Sequence, residues 1–561
     1  MHGNDREAIF QTFYDAVKFS SKHSVTLYDL RDKKFLKRGF FIMILINSSP
    51  KDALKIFQPF LPIFVPVGIG CLMAAAEREG IKGKIIDEQV EDDVIGLVKE
   101  YVKEMKKPYI FGFSVLTAAF KNALEVSKEL KHIYPDSIIL FGGIHPTAMP
   151  DEVLSYDHVD CVIRGEGERA LIEFYRCVKE GRDYTHIDNL SYRENGQAVH
   201  NSRHFIMDDL DSYPRFPYHL FDPKKYDLGF VLSSRGCPYQ CVFCSNRVTT
   251  GRKYRFRSAD AVVEELEMLY RKYGKKYILF LDDNLLVSKE RIYGLIDAIK
   301  KKDLHKKMSF NFQARGDNVN QELLHDLYDA GFRSIFFGME TASEEVMKIV
   351  KKGETVSQCV DAVKMAKKAG FHVSATFIYG LPGETHANRM EAVRLSRELN
   401  IDMVRYNNAT PYPGTELYEI ATKEGRLNIH GIYENFISVS TFIENPFKKI
   451  PFSYVPADNT EYEIRRDLLF SYFSFYFNID RLKSIFTRPD QGVGWFNAGE
   501  GIYEFLRNLP ALAFLALMLF FKFSQLFYYS VIKKETAVSF KHFMKVFDGL
   551  WYRKKKRVQS T

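Results

Sequence analysis

The chain of 561 residues is 46% hydrophobic, long enough for three or four domains and apolar enough for each to bury a core. Its net charge of +8 does not mark a nucleic-acid binder, because nine Lys and Arg against two acids in Lys533 to Thr561 account for most of the excess, and the rest carries no basic stripe. Met1 to Lys37 is polar, without the apolar run of a secretory leader, so a reducing cytoplasmic setting is expected and the seven cysteines are read as thiols.

Residues 1–38 read as a charged extension with no chemistry of their own. The apolar run Phe40 to Asn47, closed by Ser48-Ser49-Pro50, predicts a central parallel strand. Alternation follows: a helix over 68–79, strands over 84–87 and 109–115, a helix over 118–133, strands over 137–143 and 159–164, and a helix from Arg169. This rhythm predicts an α/β, doubly wound parallel sheet over residues 39–185. Ligands of such sheets bind beyond the carboxyl ends of the strands. Three loops there supply candidates: Ser114 and Thr117; Gly142, Gly143 and His145; Gly165 and Glu166. Small residues let backbone approach a large planar ligand, although turn glycines of any such sheet would look the same. Residues 186–226, where turn residues and aromatics mix between Asp208 and Pro217, read as a connector.

From residue 227 strands are expected at 230–234, 277–282, 308–313, 334–338, 372–379 and 403–407, each followed by a helix. Six such units are too few for a closed barrel of eight and predict an open, partial TIM-like barrel over 227–425. The first strand delivers Arg235-Gly236-Cys237-Pro238-Tyr239-Gln240-Cys241-Val242-Phe243-Cys244, three thiols at C-x-x-x-C-x-x-C spacing. A four-iron cube normally takes four thiolates, so three leave one iron open to another ligand. A zinc knuckle would want a fourth Cys or His close by, and unrelated core cysteines are the remaining reading. Later strands end in Asp282-Asp283-Asn284, Arg315-Gly316-Asp317, Gly338-Met339-Glu340-Thr341, Gly380-Leu381-Pro382-Gly383-Glu384-Thr385 and Thr410-Pro411-Tyr412-Pro413-Gly414-Thr415. Any one of these could be a helix cap, but their succession at strand ends argues a site.

The cysteine loop resembles that of the radical S-adenosylmethionine enzymes. With Pro66-Val67-Gly68-Ile69-Gly70, the Gly-Gly-x-His-Pro-Thr loop at 142–147 and Gly165-Glu166-Gly167-Glu168, the chain resembles their cobalamin-binding, class B type members from about residue 40 to 425. The resemblance implies a 4Fe–4S cluster on Cys237, Cys241 and Cys244, whose open iron chelates S-adenosylmethionine. It places Phe243 against the adenine, with Gly380 and Pro382 nearby. Asp282 and Asp283 then lie toward the methionine amino end, Arg315 on its carboxylate, and Glu340 on the amine or ribose. Cobalamin is implied at Ser114, Thr117, Gly142, Gly143, His145, Gly165 and Glu166. The D-x-H-x-x-G signature that brings a histidine to cobalt in other cobalamin proteins does not occur in the sequence. Cobalt without a protein ligand on its lower face is therefore expected, His145 being the nearest candidate and equally a structural turn histidine.

Residues 426–507 read as a helical, aromatic-rich region whose stripe at 463–477 is core before it is pocket. The run 509–532 is apolar apart from Lys522, and with the basic tail it reads as an in-plane or re-entrant membrane helix within 508–561, or else as a buried helix. The activity expected from the resemblance is C-methylation of an unactivated carbon through a 5′-deoxyadenosyl radical, on a hydrophobic or lipid substrate such as a polyprenoid. An electron donor such as flavodoxin or ferredoxin, no nucleic acid, and peripheral contact with the inner face of the cytoplasmic membrane complete the expectation. An oxidative, ring-forming cyclase of the anaerobic tetrapyrrole type is the alternative enzyme. A non-catalytic cobalamin or redox sensor is the alternative of another class.

Overall fold

Side chains of the strand Met43–Asn47 (β1) alternate between two faces, and both faces are buried. Ile44 and Ile46 join one apolar cluster, Met43 and Leu45 another. The computed structural model describes residues 41–50, 63, 65–203, 209–438, 450–476 and 502–532. On one face of the sheet lie the helices Val67–Arg78 and Glu168–Glu180, on the other Val94–Tyr101 and Phe120–Ile133. Around β1 the strands Gly83–Asp87 (β2), Ile110–Ser114 (β3), Ile138–Gly142 (β4) and Cys161–Ile163 (β5) pair in parallel, in the order β2-β1-β3-β4-β5.

The stretch read as a connector begins inside this sheet. Leu190–Glu194 (β6) and Gln197–His200 (β7) add two antiparallel strands to its edge. They turn at Asn195-Gly196, both at positive φ (51° and 81°), the conformation that a tight hairpin needs and that Asn-Gly tolerates best.

The second sheet is wholly parallel, its six strands pairing in chain order. Its strands are Phe230–Val231 (β8), Tyr277–Phe280 (β11), Ser309–Ala314 (β12), Phe332–Glu340 (β13), His372–Tyr379 (β14) and Met403–Asn408 (β15). It is the open six-stranded partial barrel expected, with one departure. The first strand stops at Val231 because Ser233 bonds the carboxylate of Asp282 instead of a neighbouring strand, through its N–H at 3.3 Å and its hydroxyl at 2.8 Å. The chain then forms a separate two-stranded hairpin, Ser234–Arg235 (β9) with Arg255–Phe256 (β10). Side-chain caps start the outer helices: Ser258, Ser288, Asn320 and Thr415 each accept a backbone N–H, and Thr355 and Thr385 form full capping boxes.

The aromatic helix Glu461–Tyr476 is core, as its stripe predicts. It closes the open edge of the barrel: the hydroxyls of Tyr472 and Tyr476 accept the N–H groups of Tyr406 and Val404 on β15 at 3.1 Å each. Beneath it, Asp467 accepts from Arg389 Nε at 2.8 Å and from Arg466, and lies 2.8 Å from His386 Nδ1, all around the helix His386–Glu398.

The helix Ile502–Phe527 continues into a π turn at Tyr528–Ile532. Met518, Lys522 and Leu526, four residues apart, are buried, and Leu526 packs with Leu469, Phe470 and Phe473. Leu517, Phe520 and Phe527 face outward. Its apolar surface is thus covered on one side by protein, where the sequence suggested lipid, and among the described residues no helix is long and apolar enough to cross a membrane. The N-terminal extension through Phe40 and the basic tail after Ile532 lie outside the described residues.

Removing one partner from a buried ionic network leaves the others unpaired, at a cost of roughly 3–5 kcal/mol. Asp467→Ala should lower stability by about that much in denaturant unfolding of the barrel. An unchanged midpoint would show that the C-terminal helix does not share the barrel's cooperative unit.

Candidate functional site

The three cysteines sit on a loop without regular structure, held by its backbone. Gly236 has φ 84°, and a Cβ there would lie 2.3 Å from the carbonyl oxygen of Lys253, so no other residue fits where the loop leaves the β9–β10 hairpin. Within the loop the Cys244 N–H bonds the Cys241 carbonyl at 3.2 Å. Val242 is fully buried; its N–H bonds Val350 O at 3.1 Å and its carbonyl accepts from Leu417 N at 2.9 Å. These two bonds anchor the loop to the segments that follow β13 and β15. Phe243 packs on the same apolar cluster, which contains Leu381 of the Gly-Leu-Pro loop.

All three thiols are free and half-buried. Burial pushes each of them up, Cys244 to about 11, while at Cys241 the charges of Lys352 and Arg315 act in the opposite direction. An anionic ligand set on these sulfurs therefore meets compensating cations. No three His, Cys, Asp or Glu side chains among the described residues converge as a single metal ion requires. Thiolates of a cube each take a different iron, so three on one loop suit a cluster that leaves one iron open.

The strand ends surround this loop. Asp282 is fully buried and spent on a tie between β8 and β11: it accepts from Ser233 and Ser234 and lies 3.6 Å from Arg291. Asp283 accepts from the Asn246 amide. Arg315 forms a fork with Asp317 at 2.9 and 2.8 Å, bonds the Lys352 carbonyl, and lies 3.6 Å over the ring of Tyr239 between the first two cysteines. Glu340 ends β13 at φ 60°, next to a bulge, a left-handed conformation that costs a non-glycine residue about 1–3 kcal/mol. The bend turns its buried carboxylate onto Lys352 Nζ at 2.8 Å. Gly380, at φ 84°, donates its N–H to Glu384, and Pro382 is buried beside it. Lys352, Glu354 and Tyr239 escaped the sequence reading, since Lys351-Lys352-Gly353-Glu354 has the composition of a solvated helix end.

In the first domain, Ser114 and Gly142 end β3 and β4, and Thr117 is buried at the next turn. Gly143, at φ 98°, approaches Val115 so closely that a Cβ would meet its nitrogen at 2.8 Å. Gly165 donates its N–H to Thr147 Oγ1 at 2.9 Å, and Glu166 is paired with Arg255 of the second domain at 2.7 Å. The short helix Ile144–Ala148 packs against Asn246–Thr250, which follows Cys244, so the loop-bearing edges of the two sheets meet. His145 is fully buried between Phe120, 4.1 Å away, and Tyr433, at 4.9 Å, with both ring nitrogens lacking hydrogen-bond partners. Gly143 is thus required by its close turn against Val115, and the ring of His145 is enclosed by aromatic side chains.

A three-thiol loop at the mouth of an open six-stranded barrel, behind a doubly wound domain, defines the class of radical S-adenosylmethionine proteins that carry a corrinoid domain. Residues 231–396 match the Radical SAM superfamily and residues 58–174 the B12 binding domain. An uncharacterized methyltransferase of Pyrococcus horikoshii is 34% identical over 362 residues, 64% of this chain and 78% of that protein. The anaerobic magnesium-protoporphyrin IX monomethyl ester cyclase of Rubrivivax gelatinosus is 26% identical over 369 residues, 64% of this chain and 66% of the cyclase. The solved cobalamin-dependent S-adenosylmethionine radical enzyme OxsB shares the fold, with a TM-score of 0.64 at 17% identity over 93% of this chain and 78% of that one. The chain belongs to the cobalamin-binding radical S-adenosylmethionine enzymes, and its cofactors are a 4Fe–4S cluster, S-adenosylmethionine and cobalamin.

Replacing Cys237, Cys241 or Cys244 by Ala should abolish the absorbance of the reconstituted cluster, whereas Cys161→Ala and Cys359→Ala should leave iron content unchanged. Full iron in any of the first three variants would break the assignment. For His145, burial lowers the pKa from 6.5 to about 3. The unfolded chain then binds a proton below pH 6.5 that the folded chain refuses, so stability falls with falling pH by up to about 1.4 kcal/mol per unit from this group. His145→Phe should therefore lose less stability between pH 6.5 and 5 than the parent, with unchanged cobalamin spectra; parallel pH profiles would place a partner on the ring.

Proposed function

We propose that this enzyme methylates an unactivated carbon of a hydrophobic substrate. The observation that carries the reading is the meeting of the two loop-bearing edges, the glycine loops of the first domain against the helix that follows Cys244. When bound there, the cofactors supply a one-electron source that cleaves S-adenosylmethionine to a 5′-deoxyadenosyl radical, and a cobalt that carries a methyl group. The chain's own residues hold that chemistry in place. Lys352 and Arg315 set positive charge beside Cys241, and Glu340 and Glu354 keep Lys352 charged against the opposing effect of burial. Arg315, Glu340, Asp283 and Phe243 are the contacts we assign to S-adenosylmethionine. For Asp282, whose carboxylate is already spent, we assign a supporting role behind Ser233 and Ser234. Val242, Leu381 and Tyr454 form the dry wall behind the loop, which keeps water from a reactive centre.

A hydrophobic substrate is supported by the outward apolar face of Leu517, Phe520 and Phe527, which also supplies a surface for peripheral membrane contact. The likeness to a cyclase that acts on a porphyrin ester favours oxidative ring formation as the second reading. The test is anaerobic turnover of the reconstituted enzyme with a flavodoxin reductant, methyl-deuterated S-adenosylmethionine and a lipid extract of the source cells. Methylation yields 5′-deoxyadenosine, S-adenosylhomocysteine and a deuteromethylated lipid together. 5′-Deoxyadenosine without S-adenosylhomocysteine would replace methylation with oxidation, and neither product would return the chain to a sensor.

A further inference from the structure

Four charged side chains outside the chemistry above are buried together where the two domains meet. Glu166 lies in the turn after β5 and Glu168 opens the helix that follows it; Arg235 ends β9, two residues before Cys237; and Arg255 opens β10. Arg255 donates to both oxygens of Glu166, Nη1 at 2.9 Å and Nη2 at 2.7 Å. Arg235 Nη2 lies 2.8 Å from Glu168 and its Nη1 3.8 Å from Glu166. Side-chain exposure is 5% for both carboxylates, 3% for Arg255 and 15% for Arg235.

Buried ion pairs contribute little to stability, because desolvation offsets their attraction. What a forked arginine contributes is direction: two parallel bonds fix angle as well as distance. Here the bonds fix the hairpin that launches the cluster loop against the turn of the cobalamin domain. The far end of the loop is held from the same side. Arg203 bonds the carbonyls of Val248 and Thr249 in the helix that follows Cys244, and that helix packs on Ile144–Ala148. Both ends of the cysteine loop are thus referred to the first domain, where a link at one end would leave it free to pivot.

We propose that Glu166 and Glu168, with Arg235 and Arg255, form an ionic latch that sets the position of the cluster loop relative to the cobalamin domain, Glu166 acting as a positioning residue and not as a cofactor contact. The proposal rests on the cofactor reading above. Two reactive centres that must meet one substrate tolerate little displacement, since orientation is where much of the rate of such reactions resides. Four charges of alternating sign, two from each domain, define one docking geometry and repel a slipped one, in which like charges would face each other.

The test compares the parent with Glu166→Gln and the milder Arg255→Lys, both as full-length protein. Two readouts are taken: the distance distribution between cob(II)alamin and the reduced cluster by dipolar electron paramagnetic resonance, and amide hydrogen exchange over 236–250. Both single variants should broaden the distance distribution while iron and cobalamin stay at the parent's stoichiometry. They should also speed exchange in the loop about tenfold. Unchanged distances and exchange in the single variants would overturn the latch, as would loss of cobalamin from Glu166→Gln, which would make that residue a cofactor contact. Hydrogen exchange is read with or without cofactors, so a parent that binds neither group would sink the cofactor reading while the exchange data still decide whether the latch holds the loop.

Discussion

Two backbone hydrogen bonds at Val242, from its N–H to Val350 and to its carbonyl from Leu417, are what allow a loop without regular structure to hold three thiols in a dry place. A buried peptide group must find a partner, and a loop has no neighbouring strand to provide one. Here the partners come from the segments after β13 and β15, far along the chain, so the loop takes its shape only once the barrel sheet has closed as far as its sixth strand. Gly236 completes the constraint, since the approach to Lys253 leaves no room for a side chain. The site is therefore a product of the assembled barrel, although every cysteine lies within eight residues of the others.

Charge is arranged around that loop in alternating layers. The charges of Lys352 and Arg315 act on Cys237 and Cys241; these cations face Glu340, Glu354 and Asp317; and behind the loop Arg235 and Arg255 face Glu166 and Glu168. Each layer neutralises the one before it, as charges withdrawn from water require. The backbone strain at Glu340 belongs to the same arrangement, because the left-handed turn brings its carboxylate onto Lys352. Further out, the tyrosines of the C-terminal helix satisfy the exposed edge of β15, which would otherwise offer free N–H groups to another chain. An open barrel needs such a cover, and the aromatic composition of 461–476 supplies hydroxyls and apolar area in one element.

Local signals carried much of this architecture. The continuous apolar run at β1, the strand and helix rhythm, and capping residues such as Thr355 and Thr385 are statements about neighbouring residues, and they located both sheets and the cysteine loop. The Asn195-Gly196 turn was an equally local signal of a hairpin, yet the connector reading passed over it because the flanking strands lie on a sheet edge and lack a strong apolar pattern.

Elsewhere composition pointed one way and packing another. Lys352 looks like a residue of a solvated helix end and is buried; Glu166 looks like a loop residue free for a ligand and holds Arg255; the helix Ile502–Phe527 looks apolar all round and covers only one of its faces with protein. The amino-acid sequence by itself determined the order of elements, the two parallel sheets and the three thiols, because periodicity, turn chemistry and spacing act within a few residues. Only the tertiary structure decided which charges were partnered and which apolar faces were covered. Those depend on groups 12, 37 and 89 residues apart meeting in space, and a side chain's cost or use is set by what lies opposite it.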